Sequence, residues 1–516
     1  MPCRRLIVVA AALLLACGLA VSAELKLPAI LGNNMVLQRG VETPLWGGAD
    51  ANEKITAKLG DKSVTATAGA DGKWLVKLPA MPAGGPQDIV IEGAENRTVS
   101  LKNVLFGEVW VCSGQSNMEM AVQSCEKAQE DIAAASFPQI RLFTVAKAAV
   151  GTPQPDCRGQ WQECSPQTVR GFSAAGYFFG VELHKTLGVP IGLINTSWGG
   201  TPAESWASRQ GLDSEPSCKQ MVEHWDRICA DFNEEKAKQT YEQQLKAWNE
   251  AAARAKADKR PAPPNKPNYS DPRANPWRPC ALYNGMIAPL VPFAIAGAIW
   301  YQGESNVGRA VQYRTLFPAM IKSWRTAWAR DDLPFYFVQI APYRYGQLNG
   351  LAYAELCESQ LLTIKNLPNT GMAVISDVGN VKNIHPGNKK AVGRRLALWA
   401  LAKTYGRKEM VYYKSMKVEG DKIRVSFDYV GGGLASRDGK DLTCFAIAGD
   451  DQRFEPAAAT IDGDTVVVRA NGVLKPVAVR FAWHETAEPN LMNKEGLPAS
   501  LFRTDEWKMV TEGKNL

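Results

Sequence analysis

The stretch Val109-Trp110-Val111-Cys112-Ser113-Gly114-Gln115-Ser116-Asn117-Met118-Glu119-Met120 decides how the rest of the chain is read. An apolar run with strand composition leads into Gly114-Gln115-Ser116-Asn117, and no charge appears until Glu119. A short apolar run that ends on a glycine-containing turn has the signature of a strand buried on both faces. A serine at the C-terminal mouth of such a strand is either a hydrolase nucleophile or a polar residue that closes the strand. The remainder of the chain separates the two possibilities.

From about residue 107 the same pattern recurs. The runs at 109–113, 191–195 (IGLIN), 295–301 (IAGAIWY), 335–340 (FYFVQI) and 372–377 (MAVISD) alternate with helical patterns at 172–188, 311–330, 353–367 and 388–406. Apolar strands alternating with helices predict a parallel sheet covered on both faces, a three-layer α/β domain over 107–406. The domain is interrupted at about 207–280. Within that insertion, 231–260 is a charged stretch whose apolar positions Ala237, Tyr241, Leu245, Trp248, Ala252 and Ala255 recur at helical spacing. Seven prolines between Pro261 and Pro279 then predict an extended segment. Residues 24–106 and 407–516 alternate apolar and polar residues between Gly, Asp and Pro turns, which predicts flanking β-sandwich regions.

The bulk numbers agree with a multidomain globular protein. The chain has 516 residues, 46% hydrophobic and 22% charged, and a formal charge of +7 without a dense basic run. A nucleic-acid partner is not expected from so diffuse an excess. Residues 1–23 have a basic start, an apolar run too short to span a bilayer and the small-residue site Val21-Ser22-Ala23, so they predict a signal peptide. Leu14-Leu15-Ala16-Cys17 offers a lipobox reading, with Cys17 lipidated. Either way export to the periplasm or medium is expected, and no later segment is long and apolar enough to cross a membrane. Nine of the eleven cysteines lie beyond that segment, and Cys157/Cys164 and Cys218/Cys229 are near enough in sequence to pair. With four histidines and no Cys/His cluster, no metal site is expected.

Ligands of open parallel sheets bind beyond the carboxyl ends of the strands. There the sequence gathers Gly114-Gln115-Ser116-Asn117, Thr196-Ser197-Trp198-Gly199-Gly200-Thr201, Gln302-Gly303-Glu304-Ser305-Asn306, and Asp377 followed by Ile384-His385-Pro386. A hydroxyl, several amide and glycine donors and one imidazole are the parts acyl transfer requires. Of the four histidines, His385 alone lies on such a loop; His184, His224 and His484 read as packing or surface residues.

In that order, GQSNMEM, TSWGGTPAESW, WYQGESN and NIHPGNK resemble the blocks of the SGNH hydrolases, and within them the sialate O-acetylesterase family. MVLQRG, LYNGMIAPL and NLMNKEGLPASLFRTDEW extend the likeness over nearly the whole chain. The resemblance implies a flavodoxin-like SGNH sheet and removal of acetyl groups from sialic acids without metal or organic cofactor. It carries the nucleophile onto Ser116 and the general base onto His385. It puts the oxyanion donors at the Ser116 N–H, at Gly199 and Gly200, and at Asn306 or Gln302. Gln115 and Gln302 would face the substrate. The wider pattern has an aspartate three residues before the histidine, and here that position is Lys382, which accepts no hydrogen bond. Glu304, Asp377 or a main-chain carbonyl would then orient the imidazole, with Glu304 the first choice. Trp198, Trp206, Tyr301 and Tyr283 are candidate sugar platforms, although core positions suit them too. Lys382, Lys389 and Lys390 form either an anion-attracting cluster or a solvated helix start, and Arg344 is a candidate for a sugar carboxylate. The residues also admit the same chemistry on another acetylated sugar such as acetyl-xylan. A carbohydrate-binding protein with a degenerate catalytic domain and a lipid esterase are the remaining readings.

Overall fold

The computed structural model describes residues 24–406 and 412–515. The expected signal segment and Cys17 lie outside them. Strand β1 (Thr98–Gly114) organises the molecule. Its first half pairs antiparallel with Gly84–Glu92, and its second half is the centre of a parallel sheet. The boundary expected near residue 106 therefore falls inside one continuous strand.

Around β1 lie β2 (Phe137–Thr144), β3 (Trp161–Cys164), β4 (Ile191–Asn195), β5 (Gly297–Tyr301), β6 (Phe335–Val338) and β7 (Thr370–Ala373). Their spatial order is β7-β6-β5-β1-β4-β2-β3. All neighbours are parallel except the edge pair β2–β3. The sheet thus has one more parallel strand than the apolar runs predict. β2 escapes notice because Pro138 and the buried Arg141 interrupt its run. The Arg141 guanidinium is satisfied by the carbonyls of Pro138, Asn34 and Asn103.

Aromatic packing shows that both faces are covered. Tyr336 stacks on Trp399 and lies against Trp110, which meets Phe179 edge-on. Its strand neighbours Phe335 and Phe337 instead contact Trp324 and Phe317. Adjacent strand residues point to opposite faces, so the two clusters lie on opposite sides of the sheet. One side carries α2 (Ala174–Leu187) and α6 (Lys389–Lys403), and the other carries α4 (Ala310–Ala327). α5 (Leu351–Asn366) packs beside α4. Gly393 lets α6 approach α2 closely, since a Cβ there would meet the Phe179 backbone nitrogen at 2.6 Å.

In the insertion, α3 (Glu234–Ala257) has its expected stripe turned toward the proline-rich return segment. Trp248 Nε1 donates to Pro263 O at 3.1 Å, and the Tyr241 and Tyr269 rings meet edge-on. Cys218 and Cys229 share one helix, Pro216–Ala230. At about 1.5 Å per residue they stand roughly 16 Å apart, too far for a disulfide. Cys157 and Cys164 are unpaired as well, as are all nine described cysteines. The C-terminal region forms its own antiparallel sheets, among them 412–419/422–428/465–469/458–462. Among the described residues no helix is long and apolar enough to cross a membrane.

Candidate active site

The carboxyl ends of β1, β4 and β5 meet at one point, and glycine makes the meeting possible. Gly114 closes β1 at φ +138°, and a Cβ there would sit 2.2 Å from Tyr301 O. The chain then turns into the short helix α1 (Ser116–Glu119). Gln115 is buried; its N–H donates to Tyr301 O, and its Oε1 accepts from the N–H groups of Gly303 and Ser305. The first and third motif blocks are thereby locked together. Gln115 is a clamp between loops at its carbonyl end.

Ser116 and His385 lie 269 residues apart in sequence and are in contact. His385 Nε2 is 2.7 Å from Ser116 Oγ. The His385 backbone N–H donates to Asn383 Oδ1, which fixes the turn that presents the imidazole. Burial, with a smaller contribution from the Lys389 charge, holds His385 below the ordinary histidine range. It is therefore neutral, and able to accept a proton, over a wider range of pH.

The expected carboxylate partner is absent from the imidazole. Asp377 is engaged by Arg395 through two hydrogen bonds of 2.6 and 2.7 Å. Glu304 turns inward, where its Oε1 accepts from Asn117 Nδ2 at 2.6 Å. Its Oε2 has no partner, and burial raises its pKa. Among the described residues no carboxylate touches a His385 ring nitrogen, so the geometry is that of a Ser–His dyad.

The expected oxyanion donors are also corrected in part. Asn306 is spent within the fold: its Oδ1 accepts from Ala203 N and Gln302 Nε2, and its Nδ2 donates to Glu204. Gln302 is fully buried and bonded to Thr201 O, Asn306 and Tyr313, so it does not face a substrate. Gly199 lies against Ser116, since a Cβ on it would be 3.2 Å from Ser116 Cβ. Its N–H, however, donates to Glu119 Oε2 at 2.5 Å. Gly200 takes the left-handed conformation at φ +75° on an exposed turn. Among the described residues neither the Ser116 N–H nor the Gly200 N–H has an acceptor.

Three neighbours take places that sequence reasoning did not assign them. Glu119, three residues after Ser116, bridges Gly199 and Lys147, and Lys147 Nζ also stands 5.3 Å over the Trp198 ring. Asn117 and Lys389 form the floor beneath the dyad, with Lys389 Nζ 2.6 Å from Asn117 Oδ1. Lys389 is fully buried, which overturns its reading as part of a solvated or anion-attracting cluster. Lys390 pairs with Asp131, and Lys382 is exposed. Of the aromatic candidates, Trp206 and Tyr301 are core and Tyr283 is buried; Trp198 alone stays half-exposed at the rim. Arg344 is exposed, its N–H donating to Val381 O. The other histidines stand apart from the dyad: His184 bonds Val189 O, His484 bonds Thr486, and His224 is exposed.

Known proteins resemble this chain in sequence and in fold. Residues 106–257 and 274–401 match the model of carbohydrate esterases described as sialic acid-specific acetylesterases. The sialate O-acetylesterase of Rattus norvegicus is 29% identical over 499 residues, covering 88% of each chain. The protein of the same name from Homo sapiens is 28% identical over 418 residues, covering 74% of this chain and 71% of its own. A solved carbohydrate acetylesterase from Xanthomonas citri is 37% identical, with a TM-score of 0.79 over 94% of this chain and all of that one. The unmatched residues 258–273 are the proline-rich return of the insertion, and the matched segments hold Ser116, Gly199, Glu304 and His385 alike. The chain belongs to the sialic acid-specific acetylesterase family of carbohydrate esterases.

Proposed function

We propose that the protein removes O-acetyl groups from sialic acids through an acetyl-Ser116 intermediate, on an SGNH-type, flavodoxin-like sheet. The observation that carries this reading is the 2.7 Å contact between His385 Nε2 and Ser116 Oγ. The imidazole takes the Ser116 proton as Oγ attacks the acetyl carbonyl. Charge develops on the carbonyl oxygen, where the Ser116 and Gly200 N–H groups remain free to donate. Each such donor is typically worth about 3 kcal/mol in the transition state. Collapse expels the sugar oxygen, which receives its proton from His385. Water, deprotonated by the same imidazole, then releases acetate and restores Ser116. The cycle is written without a carboxylate partner for the imidazole; Asn383 holds the His385 main chain in place.

The family description and the names of the mammalian relatives favour sialic acid as the sugar. Acetyl esters of another sugar are the second reading. In its favour, Lys389 is buried and Lys390 is paired with Asp131, so of the candidates for a sialic-acid carboxylate only the exposed Lys382 and Arg344 keep their charge free. The organisation proposed is a leader at 1–23, β regions at 24–106 and 407–516, and the esterase domain between, acting after export. Acetate release from O-acetylated sialic acid and acetyl-xylan, by wild type and Ser116→Ala, tests both levels. Release from sialic acid alone, abolished in the variant, is expected. Release mainly from xylan overturns the substrate and keeps the mechanism. No release from either, nor from a small activated acetate ester, overturns the esterase reading.

A further inference from the structure

Lys389 opens α6, yet its side chain is fully buried. Its ammonium donates to Asn117 Oδ1 at 2.6 Å and to Pro386 O at 2.9 Å, and lies 5.2 Å from the centre of the Tyr301 ring. Asn117 in turn donates to Ile384 O at 2.9 Å and to Glu304 at 2.6 Å. The residue after the nucleophile and the carbonyls on both sides of His385 are thus held by one buried cation and its amide partner. A helix start does not require this. Taking an ammonium out of water without a directly paired carboxylate costs stability, and an apolar side chain of similar length would fill the space more cheaply.

We propose that Lys389 is a positioning residue for the ester hydrolysis, tying the loop that carries His385 to the helix that carries Ser116 and setting the charge the imidazole faces. The proposal rests on Ser116 and His385 being nucleophile and base. The groups around the pair are few. His385 meets Ser116 and the field of Lys389. Lys389 meets Glu304 from the third block, Tyr301 from β5 and Cys125 from the 121–125 segment. Glu126 packs at Gly387, and Lys390 faces Asp131. Burial lowers Lys389 to about 8, so it is mostly charged at neutral pH, and Cys125 is pushed up to about 11 and stays neutral. Removing the ammonium takes a positive neighbour from the protonated imidazole, which then holds its proton to higher pH.

The experiment reads His385 directly. With four histidines in the chain, imidazole NMR titration resolves each one, and His385→Gln assigns the signal. In Lys389→Met the His385 midpoint is expected to move to higher pH while those of His184, His224 and His484 stay. On a small activated acetate ester, kcat is expected to fall about 10- to 100-fold with KM changed less than about threefold, as for misplaced reacting groups. A midpoint that stays in place, or a kcat within about twofold of wild type, overturns the proposal. Should the single variant fail to fold, because Glu304 is left buried without its cation, Lys389→Met/Glu304→Gln removes both charges and its kcat is judged by the same limits. Wild-type inactivity on the ester sinks the esterase reading instead, and the imidazole titration then decides for or against Lys389.

Discussion

At the scale of single residues, the proposed mechanism makes His385 set the pH dependence. Its protonated form cannot act as base, and burial and Lys389 both disfavour that form. Activity is therefore lost only as pH falls through a midpoint below the ordinary histidine value of about 6.5. A kcat/KM profile on a neutral acetate ester checks this, and an acid limb centred above about 6.5 contradicts it. Ser116 and His385 were legible because a polar residue at the mouth of an apolar strand, and a histidine on a strand-end loop, carry their placement in local pattern. Glu304, Asn306 and Gln302 were not. They share a loop, and which way each turns depends on the conformation around Gly303, at φ +156°, and on partners far away such as Asn117 and Glu204. Lys389 did carry a signal: 389, 392, 396 and 400 fall at helical spacing on the buried face of α6. Its charge masked the stripe.

At the scale of elements, the turn from β1 into α1 is the most constrained piece of backbone in the site. Gly114 combines a positive φ with a backbone oxygen where a Cβ would sit. Gly114→Ala is expected to cost about 1–3 kcal/mol from the backbone conformation alone, and to lower activity by shifting Ser116. Thermal denaturation checks the first part; a melting temperature equal to wild type would show that the turn relaxes freely. The alternation of strands and helices was legible because each parallel strand is a continuous apolar run. β2 was not, since a buried arginine satisfied by three carbonyls leaves no apolar signature. The insertion is the opposite case, where periodicity alone marked the face that α3 turns to its return segment. Trp248 contributes a ring and a hydrogen bond to that contact, with Lys266 set 5.6 Å over the ring. Trp248→Ala is expected to open residues 234–270 to limited proteolysis while ester hydrolysis is unchanged. Equal cleavage rates for the two proteins would mean that other contacts hold the hairpin.

At the scale of the whole molecule, the C-terminal region reaches the catalytic layer through α5. Glu355 is buried on that helix, and its carboxylate accepts from the N–H of Val510 at 2.6 Å, the N–H of Thr511 at 2.9 Å and the Thr511 hydroxyl at 2.6 Å. One turn away, Glu358 is shared by Arg314 and Arg503. The same helix carries Gln360, which donates to Gln302 O and Val338 O and accepts from Ile340 N, so it also braces the loop of the third block. The tail thus packs against an element that braces the loop of the third block, although none of its described residues is bonded to Ser116 or His385. This was beyond sequence reading, since a glutamate within a helical pattern reads as solvated surface. Glu355→Ala leaves the half-buried donor at Val510 and the buried donors of Thr511 without their acceptor. The expected loss is about 1–3 kcal/mol, seen as a lower melting temperature. Hydrogen exchange gives the sharper reading, because local opening should begin at the tail. The amides of residues 510–511 are expected to exchange faster in the variant before those of the central sheet change at all. If the two regions instead speed up together, the tail is part of the same cooperative unit as the sheet. An unchanged melting temperature and unchanged exchange would show that Glu355 does not hold the tail.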